Sequence, residues 1–464
     1  MSILKFPENF WWGSASSGPQ AEGAADKPHK NIWDHWFKTQ PVCFFNEVGP
    51  ELTSGFYHSF KDDIALLKQT GHNSFRTSIQ WSRLITNFET AEACPKAVEF
   101  YNNVIDELIA QGIEPFINLF HFDMPIELQN RGGWENKEVC ELYALYAKKA
   151  FELFGDRIKQ WFTFNEPLAV VECGYIRGWH YPCQQDFKVA IQVQHNMIYA
   201  QARAIEEYRK SGHKGKIGSI MILCPTYARD ENNPEDVKAK DLAELLFNRP
   251  FLDCAIHGEY PQELISFYQQ NDLMPVMHQK ELEVIHQNRI DILGVNYYSP
   301  RRVKAKETPV DPREPLMPES FFDEYDWPGK KINPHRGWEI YEKGIYDLLK
   351  EVQGRYNNIE CFISENGMGV EGEAKFRNAD GIIEDDYRIE FIKDHLNWVH
   401  KAIAEGVNCR GYHLWTAMDN WSWTNAYKNR YGFVEVDIDN GLAKRVKKSG
   451  HWFKTVLENN GYDV

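Results

Sequence analysis

Cys361-Phe362-Ile363-Ser364-Glu365-Asn366-Gly367 is the stretch on which the reading of this chain turns. A strand-like run over 359–363 enters Ser-Glu-Asn-Gly, a turn signature in which Asn and Gly serve backbone geometry rather than packing. An acidic side chain therefore stands where a buried strand leaves the core. A carboxylate there is costly unless something holds it. That placement marks Glu365 as a candidate for chemistry and raises the question of what faces it.

Outward from this stretch, short apolar runs alternate with amphipathic ones. Strands are expected over 10–14, 73–79, 114–120, 158–164, 216–223, 290–297, 360–364 and 409–415. Between them, helical periodicity predicts helices over 57–69, 96–110, 137–154, 187–210, 236–247, 253–268, 339–355, 387–405 and 451–458. Eight strand–helix units point to one (β/α)8 barrel spanning 1–464, with no linker dividing it. A doubly wound open sheet is the alternative, but the first turn lacks a Gly-x-Gly-x-x-Gly fingerprint. The proline-rich stretch 301–334 reads either as a surface insertion or as a wall over the site.

The bulk properties narrow the partners. The net charge of −15 over 464 residues argues against nucleic acid or an anionic membrane, both of which need a basic face. An anionic substrate would need a local cluster of cations and donors. The 15 Trp, 22 Tyr and 28 Phe supply flat apolar surface for a core or a sugar platform. Nine cysteines, none in a Cys-x-x-Cys pair, suit a reducing compartment. Met1 opens a polar segment without an apolar core, and no run of eighteen or more apolar residues exists. The expectation is a cytoplasmic protein, with a homo-oligomer left open. Scattered histidines lack ligand spacing, so neither a metal nor an organic cofactor is expected.

In a barrel of this kind the active site lies at the C-terminal ends of the strands. Those ends carry Gln20-Ala21-Glu22-Gly23, Arg76, His121-Phe122-Asp123, Asn165-Glu166-Pro167, Asn296-Tyr297-Tyr298, Glu365 and the stretch from Trp415 to Tyr431. Polar and aromatic groups at every mouth suit a sugar. Glu166 and Glu365 end strands that lie across the mouth, where they could flank one bond. A separation of about 5–5.5 Å would mean retaining hydrolysis, and a wider one inverting hydrolysis.

Phe6-Pro7-Glu8-Asn9-Phe10, Gln20…Glu22-Gly23, Thr163-Phe164-Asn165-Glu166-Pro167, Asn296-Tyr297-Tyr298 and Ile363-Ser364-Glu365-Asn366-Gly367 together resemble glycoside hydrolase family one over nearly the whole chain. The resemblance implies a retaining β-glycosidase with Glu166 as acid/base and Glu365 as nucleophile. It implies that Gln20, His121, Asn165 and Trp415 hold the sugar, with Asn296 and Trp423 beside them. Arg76 and the Tyr298 hydroxyl are the expected supports of Glu365. The charge on Glu365 should raise the pKa of Glu166.

One segment departs from the family's neutral-sugar members, which carry a Glu where this chain has Ser422 in Asn420-Trp421-Ser422-Trp423. Loss of a carboxylate and gain of a hydroxyl favour an anion. Ser422 with Lys428, Asn429 and Tyr431 resembles the phosphate pocket of the 6-phospho-β-glycosidases. The branch's Lys, two residues before the Tyr, is replaced by Asn429. Either Lys428 reaches in, or Asn429 donates and the cation comes from elsewhere. The implied substrate is a phosphorylated disaccharide or aryl glycoside, with gluco and galacto forms both admissible. An ordinary β-glucosidase is the rival within the class, and an inactive sugar-binding barrel the rival outside it.

Overall fold

The computed structural model describes residues 3–463. Eight parallel strands close a barrel in chain order: β1 (Trp11–Ala15), β2 (Ser74–Ser78), β3 (Glu114–Asn118), β4 (Gln160–Asn165), β5 (Lys216–Ile222), β6 (Ile292–Asn296), β7 (Cys361–Asn366) and β8 (Cys409–Trp415). All eight are largely buried on both faces, and most are rich in apolar residues, as parallel strands under a helical layer tend to be. The strand β2, Ser74-Phe75-Arg76-Thr77-Ser78, is mostly polar although every residue in it is buried. Inside the barrel, Trp11, Phe116, Phe162, Ile220, Ile292 and Phe362 form one packed plug. Phe116 stacks on Phe162 at 6.0 Å and meets Trp11 edge-on at 5.1 Å. The barrel is thus filled below, with His413 the polar member of the packing, hydrogen-bonded to Ser74 at 2.9 Å, and a site has room at the upper rim.

The expected outer helices form, with differences at two of them and with helices that the periodicity did not reveal, among them Gln279–Gln287 before β6. The expected helix over 253–268 divides into Asn248–Ile256 and Gln262–Gln270. Gly258, at φ +78°, and Pro261 stop the first and restart the second. The expected helix over 339–355 starts only at Lys343, because Glu339–Ile340 pair with Lys331–Ile332 as a small hairpin. An unexpected helix, Ile32–Thr39, lies in the loop after β1, started by a capping box in which Asn31 accepts from Trp33 and Asp34. Among the described residues, no helix is long and apolar enough to cross a membrane.

The stretch 301–334 is ordered rather than loose. Arg301–Ala305 pairs with Thr226–Ala228 on one side and Phe322–Glu324 on the other. Its last residues lead into a tight turn, in which Asn333 accepts from Gly337 and donates to Trp338. This stretch forms part of the wall above β6.

Two strands bend at their tops. The register of β4 against β5 shifts between Phe162 and Asn165, and that of β7 shifts between Ile363 and Asn366. Such irregularities re-aim side chains. These two strands lead to Glu166 and Glu365.

Candidate active site

Ser364, Glu365 and Asn366 belong to β7 itself, not to a turn after it as the Ser-Glu-Asn-Gly signature suggests. Gly367 follows for a different reason from turn geometry. A Cβ there would lie 2.2 Å from the Trp415 carbonyl oxygen, so only glycine lets β7 and β8 approach at the rim. The bend in the strand leaves the Glu365 carboxylate at the mouth, 3 % exposed.

Two groups donate to that carboxylate. The Arg76 guanidinium, rising from β2, pairs with one oxygen, and the Tyr298 hydroxyl donates to the other at 2.6 Å. Arg76 also donates to Asn165 Oδ1 at 2.8 Å and to Ser364 Oγ at 2.9 Å. It is fully buried, so the ion pair is held in a low dielectric, where charge-assisted hydrogen bonds are strong.

Glu166 follows β4 with φ +49° and ψ +58°, a left-handed conformation unusual for any residue and more so before a proline. Strain of this sort collects at functional sites. Asn296, at the end of β6, donates through one amide nitrogen to Glu166 at 2.8 Å and to Asn165 at 3.1 Å. The two carboxylates are therefore joined by a continuous relay, Glu365–Arg76–Asn165–Asn296–Glu166. Burial first, and the Glu365 charge second, push the Glu166 carboxyl up to about 8; the Asn296 bond and Arg76 act in the opposite direction.

The relay also fixes a tautomer. Asn165 Oδ1 accepts from both Arg76 and Asn296, so its Nδ2 must be the group 3.2 Å from His121 Nε2. His121 Nε2 then accepts, and the proton resides on Nδ1. Burial holds the imidazole well below its ordinary pKa, hence neutral, and its Nδ1–H has no partner among the described residues. The His121 ring lies nearly parallel to Trp415 and Trp423, with centroids at 5.9 and 6.0 Å. Asn296 Oδ1 and both polar side-chain atoms of Asn420 are likewise buried without partners among the described residues. Unmet donors and acceptors cost roughly 1–3 kcal/mol each. Such groups also occur elsewhere among the described residues, at Trp161 and Tyr208 for example, but those at the mouth stand where a ligand's hydroxyls can meet them.

The remaining expected residues fall around this centre. Gln20 is buried and tied down, accepting from Ser17 at 2.8 Å and donating to the Trp421 carbonyl at 2.9 Å. Trp423 stacks on Trp33 of the unexpected helix, with centroids 4.4 Å apart. Trp33 in turn donates to the Phe122 carbonyl at 2.9 Å, so one wall of the site depends on a helix that periodicity did not reveal. Glu22 serves the scaffold: it is buried against Arg83 at 2.7 Å and accepts from Gln80 and Tyr101.

Ser422 caps the turn Trp423–Asn425, and its side chain takes no part in the cap. Asn429 and Tyr431 are buried, whereas Lys428 and Arg430 share the opposite, outward face. The Lys428 ammonium lies 5.6 Å from the Phe45 ring centroid, and Arg430 donates to the Val436 carbonyl at 3.1 Å. A buried ion cluster anchors this loop. Lys447 pairs with Asp419 at 2.9 Å and with Glu373, while Asp419 accepts from Gly432. Arg336, unmarked by any periodicity in 301–334 and its continuation, arrives beside Tyr431 from the wall above β6.

The comparisons agree with this geometry. The family model described as "Glycosyl hydrolase family 1" matches residues 3–462. The 6-phospho-beta-glucosidase GmuD of Bacillus subtilis is 57 % identical over 460 residues, covering 99 % of this chain and 98 % of that protein. A 6-phospho-beta-galactosidase of Clostridium acetobutylicum is 35 % identical, covering 97 % and 96 %. Among solved structures, the family 1 β-glucosidase of Thermotoga maritima superposes with a TM-score of 0.90 at 34 % identity, covering 100 % of both chains. A closed parallel barrel, a buried carboxylate pair at its mouth and these full-length matches lead to one conclusion: the chain belongs to glycosyl hydrolase family 1.

Proposed function

We propose that this protein hydrolyses the β-glycosidic bond of sugars carrying a 6-phosphate, with retention at the anomeric carbon. The observation that carries the chemistry is the bridged carboxylate pair. Glu365, held by Arg76 and Tyr298, attacks the anomeric carbon as the glycosidic bond breaks. Glu166, whose raised pKa keeps it protonated at neutral pH, gives its proton to the departing oxygen. The resulting glycosyl ester removes the negative charge of Glu365. With that charge gone the pKa of Glu166 falls, and the carboxylate left after it protonated the leaving group takes a proton from the water that cleaves the ester. His121, Asn165, Asn296, Gln20 and Trp415 hold the sugar, with Trp423 as a flat wall.

Phosphate selectivity rests on the loop after β8. Ser422 stands where the family's neutral-sugar members carry a carboxylate that would repel an anion, and the same loop brings the buried donors Asn429 and Tyr431. The similarity to GmuD supports the same substrate class. Charged phosphosugars do not cross a bilayer unaided. The proposed place of work is accordingly the cytoplasm, on phosphorylated disaccharides or aryl glycosides. The test compares kcat/KM for 4-nitrophenyl β-glucoside and β-galactoside with and without the 6-phosphate. A phosphorylated substrate preferred by at least about 100-fold supports the reading, at the strength of one or two charge-assisted bonds. Equal values refute it.

A further inference from the structure

A phosphate dianion entering a protein of net charge −15 needs a cation close by, and the obvious basic residues of the loop after β8 turn away. Lys428 and Arg430 line an outer cavity with Glu373, Asp419 and Glu435; Arg430 faces Asp419 there at 4.0 Å, and the Lys428 ammonium rests by the Phe45 ring. The inward position between them is Asn429, which brings no charge. We infer that Arg336, delivered by the turn above β6, is the residue that supplies the cation for the substrate's 6-phosphate. This rests on the phosphosugar reading proposed above.

Four observations carry it. First, Arg336 makes no ion pair among the described residues, whereas most arginines of this chain do. Second, its Nε is buried without a partner among the described residues, and its guanidinium lies over the Trp338 ring at 4.3 Å. That arrangement leaves the edge of a planar fork open, the geometry that suits two phosphate oxygens.

Third, the guanidinium stands beside the Tyr431 hydroxyl, where it offsets part of the rise in pKa that burial imposes. Trp338 packs on Tyr298 with centroids at 5.5 Å, and Tyr298 donates to Glu365. Arg336 is therefore one aromatic layer from the nucleophile, at the rim where the sugar's C6 substituent would project.

Fourth, the turn is built into place. Asn333, 3 % exposed, donates to the Gly369 carbonyl at 2.9 Å and accepts from the His335 amide at 3.0 Å. Asn429 donates to the His335 carbonyl at 3.3 Å. Gly369 itself leaves room for Tyr431, whose ring would lie 2.4 Å from a Cβ there. The residue that replaces a lysine thus holds the turn that brings the arginine. Asn429 keeps a second N–H to offer an anion.

The experiment measures kcat/KM for 4-nitrophenyl 6-phospho-β-glucoside and for its unphosphorylated counterpart, in wild type, Arg336→Gln, Arg336→Lys and Lys428→Ala. Thermal unfolding of each variant is followed alongside. Arg336→Gln is expected to lower the phosphorylated-to-neutral ratio about 10- to 100-fold, mostly through KM, as loss of a charged hydrogen-bonding partner does. Arg336→Lys should recover part of that ratio. Inhibition of neutral-substrate hydrolysis by inorganic phosphate should weaken in Arg336→Gln. A ratio that stays put in Arg336→Gln but falls in Lys428→Ala overturns the assignment in favour of Lys428. Equal losses on both substrates make Arg336 a purely structural residue and overturn it too. A wild-type ratio near one instead removes the phosphosugar reading itself.

Discussion

Neutralising Glu365 should lower the pKa of Glu166, and the size of the drop measures how strongly the two carboxylates interact. In Glu365→Gln the side-chain volume and the Tyr298 contact are nearly kept, while the negative charge is lost. Retaining carboxylates stand about 5.5 Å apart. At an effective dielectric constant of about 20, the repulsion is 332/(20 × 5.5), or about 3 kcal/mol, equivalent to about 2 pKa units. Arg76 is present in both proteins and drops out of the difference, so a fall of about 2 units is expected, from about 8 towards about 6. Burial, the larger cause of the rise, is untouched, and the group should stay above the ordinary 4.5. Carbon-13 NMR of glutamate-labelled Glu365→Gln, with Glu166→Gln/Glu365→Gln to assign the resonance, reads this directly. A Glu166 pKa that is unchanged or higher in the variant would refute the reasoning, because the repulsion could not then be part of the acid's tuning.

Other consequences are quicker to test. Glu166→Gln should lower kcat/KM about 100- to 10,000-fold for aryl glycosides with poor leaving groups, and far less for dinitrophenyl ones, which depart without a proton; a uniform loss across leaving groups would contradict the acid role. Because the folded pKa of Glu166 is raised, the native state binds the extra proton, and stability falls as pH rises from 4.5 to about 8. The same variant should therefore unfold at a higher temperature than wild type, with a margin that grows over that window. Lys447→Ala leaves Glu373 and Asp419 buried without their cation, and should cost about 3–5 kcal/mol in chemical denaturation. Lys447→Met should cost no less, since it also leaves both carboxylates unpaired. Asn296→Ala removes a bond that lowers the Glu166 pKa, and the alkaline limb of kcat/KM should move to higher pH.

The barrel was legible because most of its buried parallel strands are rich in apolar residues and alternate with 3.6-residue periodicity; β2, where Phe75 is the one apolar residue of five, was placed by that rhythm. The boundaries that failed did so for local reasons. Gly258 and Pro261 divide an otherwise amphipathic helix, and a hairpin captures Glu339 and Ile340 before the next helix can start. Ile32–Thr39 escaped notice because its capping box precedes only two turns, too few for periodicity to show. Glu166 and Glu365 stood out in the sequence as acids at strand ends, and the structure joins them through Arg76, Asn165 and Asn296. What no pattern revealed was Arg336. Its position depends on a turn locked by Asn333 to Gly369 and by His335 to Asn429, contacts between segments about 36 and 94 residues apart. The alternation that turns Lys428 and Arg430 outward was equally hidden, since a two-residue strand carries no recognisable period.

The most direct test of the account is to trap the intermediate. A 2-deoxy-2-fluoro-β-glucosyl fluoride bearing a 6-phosphate slows ester hydrolysis more than ester formation, so the enzyme should gain the mass of one phosphorylated fluorosugar. Peptide mapping should place that mass on Glu365, and the analogue without phosphate should label much more slowly. No adduct, or an adduct on a residue other than Glu365, would contradict a retaining mechanism with this nucleophile.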